Sequence, residues 1–319
     1  MAPAKGGARP RRSMSRDFIL ATRGSELALA QTRNTAARLS ACWPDLAVRE
    51  MVLRTTGDRR LDADLKTLGG LEKGLFTKEL EEALLAGRAH AAVHSLKDLP
   101  TRLPDGLALG AILPRAATAD VLVSRTPGGL DALADGARVG TGSPRRRAML
   151  LADRPKVLPE GIRGNVPTRL RKLVAGEFDA VILAAAGLER LGYAPTGNLS
   201  FEGETLHCGA LPNFLPAPGQ GAVAVEIRAG DEVSGERLRP LHDTDTAEAV
   251  AAEREVLALS GGGCHAALGA RATLAGSRIT IEAMMFDARD GSPKYATLSG
   301  GRADAAQLAR EIVRRLNES

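Results

Sequence analysis

The chain has 319 residues, 44% of them hydrophobic and 25% charged, enough for two or three cores in an ordinary globular protein. Aromatic residues make up only 3%, which leaves little to stack nucleobases, and no apolar run approaches the ~20 residues that span a bilayer. The net charge of +5 comes from Lys5, Arg9, Arg11, Arg12 and Arg16, which meet no acid in the first 16 residues; beyond them bases and acids balance, which argues against the basic face of a nucleic-acid binder. Residues 1–16 read as a disordered basic tail without the apolar stretch of a secretory signal, and Met14 offers an alternative start.

From residue 18 onward β-rich runs alternate with helical periodicity. Runs at 18–21 and 48–53 read as strands around a helix over 27–39, followed by a helix over 78–85 and a buried strand over 91–94. The rhythm recurs with strands at 121–123, 138–140 and 180–183 and helices over 144–153 and 166–175. Pro212, Pro216 and Pro218 break up the stretch 211–221, after which 222–226 reads as a late strand able to return to the first domain. A helix rich in Ala and Glu, a strand near 279–285 and a last helix over 304–316 complete the chain. The pattern is α/β twice over, then small α+β. Domain 1 is assigned 17–117 and 222–240, domain 2 118–215, and domain 3 243–319.

Three segments place small polar residues and arginine at the entry to a helix: Ala21-Thr22-Arg23-Gly24-Ser25, Gly140-Thr141-Gly142-Ser143-Pro144-Arg145-Arg146, and Arg163-Gly164-Asn165-Val166-Pro167-Thr168-Arg169. Ser143 and Asn165 are natural N-caps, with Pro144 and Pro167 in the first turns. Helix N-termini attract anions, and arginine adds a planar fork for carboxylate or phosphate. One such junction is usually only a capped helix; three point to a ligand with several negative groups. Arg145 stands where a dinucleotide fingerprint needs its third glycine, and no Walker A motif is present.

In His94-Ser95-Leu96-Lys97-Asp98-Leu99-Pro100 a buried strand empties into a loop, the usual place for ligands in α/β sheets. Asp98 there suits a cationic intermediate and Lys97 an anion, although a surface Lys–Asp pair reads the same way. Lys73-Gly74-Leu75-Phe76 reads as a substrate-covering loop or a plain helix entry. Ser260-Gly261-Gly262-Gly263-Cys264-His265 presents an accessible thiol. Cys42, Cys208 and Cys264 are odd in number and form no CxxC pair, which points to a reducing, cytoplasmic setting. Cys264-His265 and His207-Cys208 lack the spacing of zinc ligands, so no metal is expected.

These segments, with Pro218-Gly219-Gln220-Gly221, occur in one order from residue 18 to the end and together resemble the porphobilinogen deaminase (hydroxymethylbilane synthase) family. The resemblance implies two lobes similar to periplasmic binding proteins, an active site in the cleft between them, and a third domain. It also implies a dipyrromethane cofactor, two linked pyrroles held by a thioether to Cys264. The implied reaction adds four porphobilinogen units with loss of ammonia each time, then hydrolyses off hydroxymethylbilane for tetrapyrrole and heme biosynthesis. By motif match Asp98 is catalytic; Cys264, Lys97, Thr141, Gly142, Ser143, Arg145 and Arg146 bind cofactor; Arg23, Ser25, Arg163, Arg169, Arg190 and Gln220 bind substrate. Each pyrrole carries an acetate and a propionate, the carboxylates that the junctions require. Gly142 stands for the family's usual Ser, Pro144 for Leu, and His265-Ala266-Ala267 for a Gln-Val-Pro-like run. A cytoplasmic monomer without nucleic-acid or membrane partners is expected. The competing readings are a binding protein for an anionic metabolite, which has no use for Cys264, and a nucleic-acid module, which the balanced body disfavours.

Overall fold

The computed structural model describes residues 17–55, 76–261, 267–287 and 291–318. β1 (Asp17–Arg23) sends Phe18 and Leu20 into one core and Ala21 into another on the opposite face, the two-sided burial of a parallel strand. Ser25 then caps α1 (Glu26–Cys42): its hydroxyl accepts from Ala28 N at 3.3 Å and satisfies an amide of the first turn. β2 (Ala47–Leu53) and β3 (Ala91–Ser95) flank β1 in parallel, and α2 (Lys78–Leu85) buries Leu80, Ala83 and Leu84 against Ala21 and Ala92. β4 (Leu107–Ile112) lies at the far edge of this sheet.

The chain crosses over 113–119 into a second sheet with β5 (Asp120–Ser124), β6 (Arg138–Gly140), α3 (Pro144–Asp153), β7 (Leu158–Glu160), α4 (Val166–Val174), β8 (Ala180–Ala184) and α5 (Ala185–Arg190). β9 (Gly197–Phe201) and β10 (Glu204–Ala210) form an antiparallel hairpin, and the strand order is β7-β6-β8-β5-β10-β9. The hairpin's two-residue turn, Glu202 at φ 49 and Gly203 at φ 88, has the left-handed pair that matches strand twist.

Over 211–222 the chain crosses back, and β11 (Val223–Arg228) inserts between β3 and β4, antiparallel to both. α6 (Glu232–Leu238) follows it. Asp243 caps α7 (Thr244–Leu259), accepting from Thr246 N at 2.8 Å. β12 (Leu268–Ala275), β13 (Arg278–Phe286) and β14 (Pro293–Gly301) form an antiparallel sheet, and α8 (Ala305–Glu318) ends the fold. Val256 of α7 and Ile312 and Leu316 of α8 pack on Ile279 and Ile281 of that sheet. The architecture is thus two α/β lobes joined by two crossovers, with a small α+β third domain. No helix among the described residues is long and apolar enough to cross a membrane.

Candidate active site

Strand ends of both lobes converge on one cleft, as ligand sites in open α/β sheets do. It holds a cavity of about 260 Å³. β1 delivers Arg23 to the wall, with Ser25 at the start of α1, and β3 runs into a 3₁₀ turn carrying Lys97 and Asp98. The other lobe supplies Arg146 from the first turn of α3, Arg169 from the start of α4 and Arg190 from the end of α5. Gln220 and Gly221, on the returning crossover, complete the wall. Gly221 has φ +86, and a Cβ there would lie 2.5 Å from Ala116 O; the two crossovers meet backbone to backbone where only glycine fits.

Asp120, the first residue of β5, organises the cations. It is 1% exposed; Oδ1 accepts from Arg146 Nη2 at 2.7 Å and from Gln220 Nε2 at 2.8 Å, and Oδ2 ion-pairs with Arg145 Nη1 at 2.7 Å. Burial opposes its charge, but Arg146 and Arg145 outweigh burial and hold the carboxyl well below the usual carboxylate range. Arg146 also donates to Ile182 O at 2.8 Å and faces the cleft. Arg145 does not line the cavity: it is 4% exposed, donates to Leu215 O at 2.6 Å, and has its charge matched by Asp120.

Lys97 Nζ donates to Gln220 Oε1 at 3.3 Å. Burial, seconded by Arg146, brings its pKa down to about 8, while Asp98 and Asp120 act the other way. Arg169, brought down to about 10 by burial and Arg146, donates from Nε to Gly164 O at 2.8 Å. Arg190, also lowered by burial, donates to Gly221 O at 2.6 Å. Asp98 is exposed to the main cavity and to a smaller one of about 70 Å³, which it shares with Arg23, Phe76 and His94. The Arg23 guanidinium lies over the Phe76 ring, 4.2 Å from its centroid.

Thr141, Gly142 and Ser143 shape the entry to α3. Thr141 Oγ1 accepts from Ser143 N at 3.2 Å, and Ser143 Oγ caps the helix by accepting from Arg146 N at 3.4 Å. Asn165 caps α4 in the same way, accepting from Thr168 N at 2.9 Å. Thr141, Gly142, Ser143 and the exposed Arg163 stand outside the cavity wall. Cys264 lies outside the described residues, as do Lys73, Gly74 and Leu75.

Two functional acids escape sequence reading. Asp120 heads a strand whose other residues are buried, and an acid survives there only with partners; that position was the available signal. Glu253 is a fully buried residue of α7 that accepts from Arg115 at 2.7 and 2.8 Å, from Gly219 N at 2.7 Å and from Ala272 N at 2.8 Å. It ties both crossovers to the third domain, which nothing in its alanine-rich surroundings announces. Among the described residues no group of three or more His, Cys, Asp or Glu side chains could hold a metal ion.

Fold and cleft together define a two-lobed α/β protein with a cation-lined site at the joint between its lobes. Among solved structures, the methionine-binding protein MetQ superposes with a TM-score of 0.43 at 12% identity, covering 78% of this chain and 97% of that one. Residues 18–236 match the family model described as porphobilinogen deaminase, dipyromethane cofactor binding domain. The porphobilinogen deaminase of Syntrophobacter fumaroxidans is 44% identical over 301 residues, 94% of each chain. That of Chromobacterium violaceum is 45% identical over 300 residues, again 94% of each. The chain belongs to the porphobilinogen deaminase family.

Proposed function

We propose that this chain is a hydroxymethylbilane synthase, a transferase that condenses four porphobilinogen units on a dipyrromethane primer bound by a thioether to Cys264, releases ammonia at each step, and frees hydroxymethylbilane by hydrolysis. The observation that carries this reading is the wall of the cleft. Among its described residues Arg23, Lys97, Arg146, Arg169 and Arg190 face one acid, Asp98. A ligand whose every pyrrole bears two carboxylates suits such a wall, each charge-assisted hydrogen bond contributing on the order of 1.5–3 kcal/mol. The dipyrromethane fits the same residues, with cations on both lobes for its carboxylates and a glycine loop for Cys264. When bound, it supplies the pyrrole end to which the incoming unit is joined.

The protein's own groups bind, orient and stabilise charge. Lys97, Arg146, Arg169 and Arg190 hold carboxylates of the chain, and Arg23, Ser25 and Arg163 receive the incoming unit. Thr141, Gly142 and Ser143 offer the polar terminus of α3. As the C–N bond of porphobilinogen breaks and ammonia leaves with the bonding pair, positive charge spreads over the pyrrole, and the Asp98 carboxylate stabilises it as it develops. Arg145 is assigned to supporting Asp120 and Arg146, because its guanidinium is turned to Leu215 O and Asp120 and not to the cavity. Domain limits of 17–117 with 222–240, 118–215 and 243–319 suit this division of work, each holding one sheet. A monomer in the cytoplasm is the proposed working form: both lobes of one chain contribute described wall residues, and three cysteines without a CxxC pair suit a reducing compartment.

Supplied with porphobilinogen, the purified protein should release one ammonia per unit consumed and yield one linear tetrapyrrole for every four units. Folded protein that carries its cofactor yet releases no ammonia would contradict the assignment.

A further inference from the structure

Gln220 matches a substrate-binding position in sequence, but its bonds run elsewhere. It is fully buried and touches both lobes. Oε1 accepts from Lys97 Nζ of the first lobe at 3.3 Å, while Nε2 donates to Asp120 Oδ1 at 2.8 Å and to Thr118 O at 2.7 Å, where the second lobe begins. A glutamine amide has only two hydrogens to donate, and Asp120 and Thr118 take both. Nothing remains with which to donate to a ligand carboxylate. The Gln220 carbonyl accepts from Arg115 Nε at 2.9 Å, and Glu253 of the third domain holds Arg115 by two bonds of 2.7 and 2.8 Å. All three domains therefore meet at this one residue.

We propose that Gln220 is a positioning residue, a buried amide that fixes Lys97 of one lobe and the Asp120–Arg146 pair of the other in a single array, so that both cations meet the ligand's carboxylates at a set separation. The identity of that ligand rests on the function proposed above. Lys97 is the sensitive member of the array. Burial, with Arg146 and Arg145 beside it, brings its pKa down to about 8 against the opposing pull of Asp98 and Asp120. The charged form is the one that binds carboxylate. Methionine in place of the Gln220 amide keeps the volume and removes both the donors and the acceptor. Truncation to alanine frees Lys97 from the Asp120–Arg146 pair, which its own bond of 2.7 Å still holds together.

The test uses full-length protein with its cofactor: Gln220→Ala and the near-isosteric Gln220→Met, compared with wild type by intact mass, melting and steady-state kinetics. Both variants should retain the cofactor mass. In Gln220→Ala the KM for porphobilinogen should rise about tenfold or more with kcat within about twofold, the mark of lost binding common to ground and transition states. Gln220→Met should show the same split, because it fills the space yet makes none of the amide's bonds. Wild-type KM in either folded variant overturns the proposal, even where melting falls, because lower stability is all that a purely structural amide requires. If Gln220→Ala fails to fold, the KM of Gln220→Met decides alone. A wild-type protein lacking the cofactor mass would instead sink the proposed function, so the two failures are distinguishable.

Discussion

Asp98 and Asp120 are both aspartates of the cleft region, yet their surroundings give them opposite work. Asp98 is exposed and faces ligand space, where its charge serves the reaction. Asp98→Asn should keep the fold and the cofactor mass and lose about 100-fold or more in turnover, and Asp98→Glu should lose less, because charge matters more than hydrogen-bond geometry. Equal turnover in Asn and wild type would remove Asp98 from the chemistry. Asp120 is buried between two guanidiniums, and Asp120→Asn leaves both without a counter-charge. A loss of about 3–5 kcal/mol is expected by urea unfolding at neutral pH. Its folded carboxyl is depressed, so its stabilisation is present above the unfolded value near ~3.9 and is lost only as pH falls through the lower, folded value. Curves for the two proteins should stay apart at pH ~5 and converge in strong acid; coincidence at neutral pH would show the pair to be dispensable. Sequence could not separate Arg145 from Arg146. Consecutive helix residues project about 100° apart, and only the packed fold shows which one meets the cleft.

At the level of elements, the helices over 78–85 and 144–153 and the strand over 138–140 lie where sequence places them. Periodicity marks them, and Ser143 with Pro144 marks the start of α3 without help from tertiary contacts. β4, β9 and β10 were not legible. Gly110 breaks the run of β4, packed so closely that a Cβ there would come within 2.9 Å of Leu238 Cδ1. β9 and β10 are short on apolar repeats: alternation rests on Leu199 and Phe201 in one, and Leu206 is the one fully buried residue of the other. The returning crossover gives the sharpest prediction at this scale. Gly221→Ala combines a left-handed φ with a Cβ 2.5 Å from Ala116 O and 2.8 Å from Ala117 O, backbone atoms that cannot swing aside. A loss of more than about 4 kcal/mol, read as poor solubility or a collapsed melting temperature, is expected. Wild-type melting would mean that the crossovers are not held together here.

The whole molecule joins a cleft built by two lobes to a third domain that anchors both crossovers through Glu253 and carries the triple-glycine loop. The architecture and the order of the motifs were legible in sequence because strand, loop and helix alternate cleanly. The buried acids that bind the domains together were not, because a lone acid shows its purpose only once its partners arrive from distant segments. Covalent priming at Cys264 is the claim on which the proposed chemistry depends, and the intact mass of freshly purified, denatured protein tests it most directly, since a thioether survives denaturant, reductant and chelator. The mass should exceed that of the sequence by two linked pyrrole units, the excess should vanish in Cys264→Ser, and it should persist in Cys42→Ser and Cys208→Ser. Active wild-type protein with the bare sequence mass would contradict it.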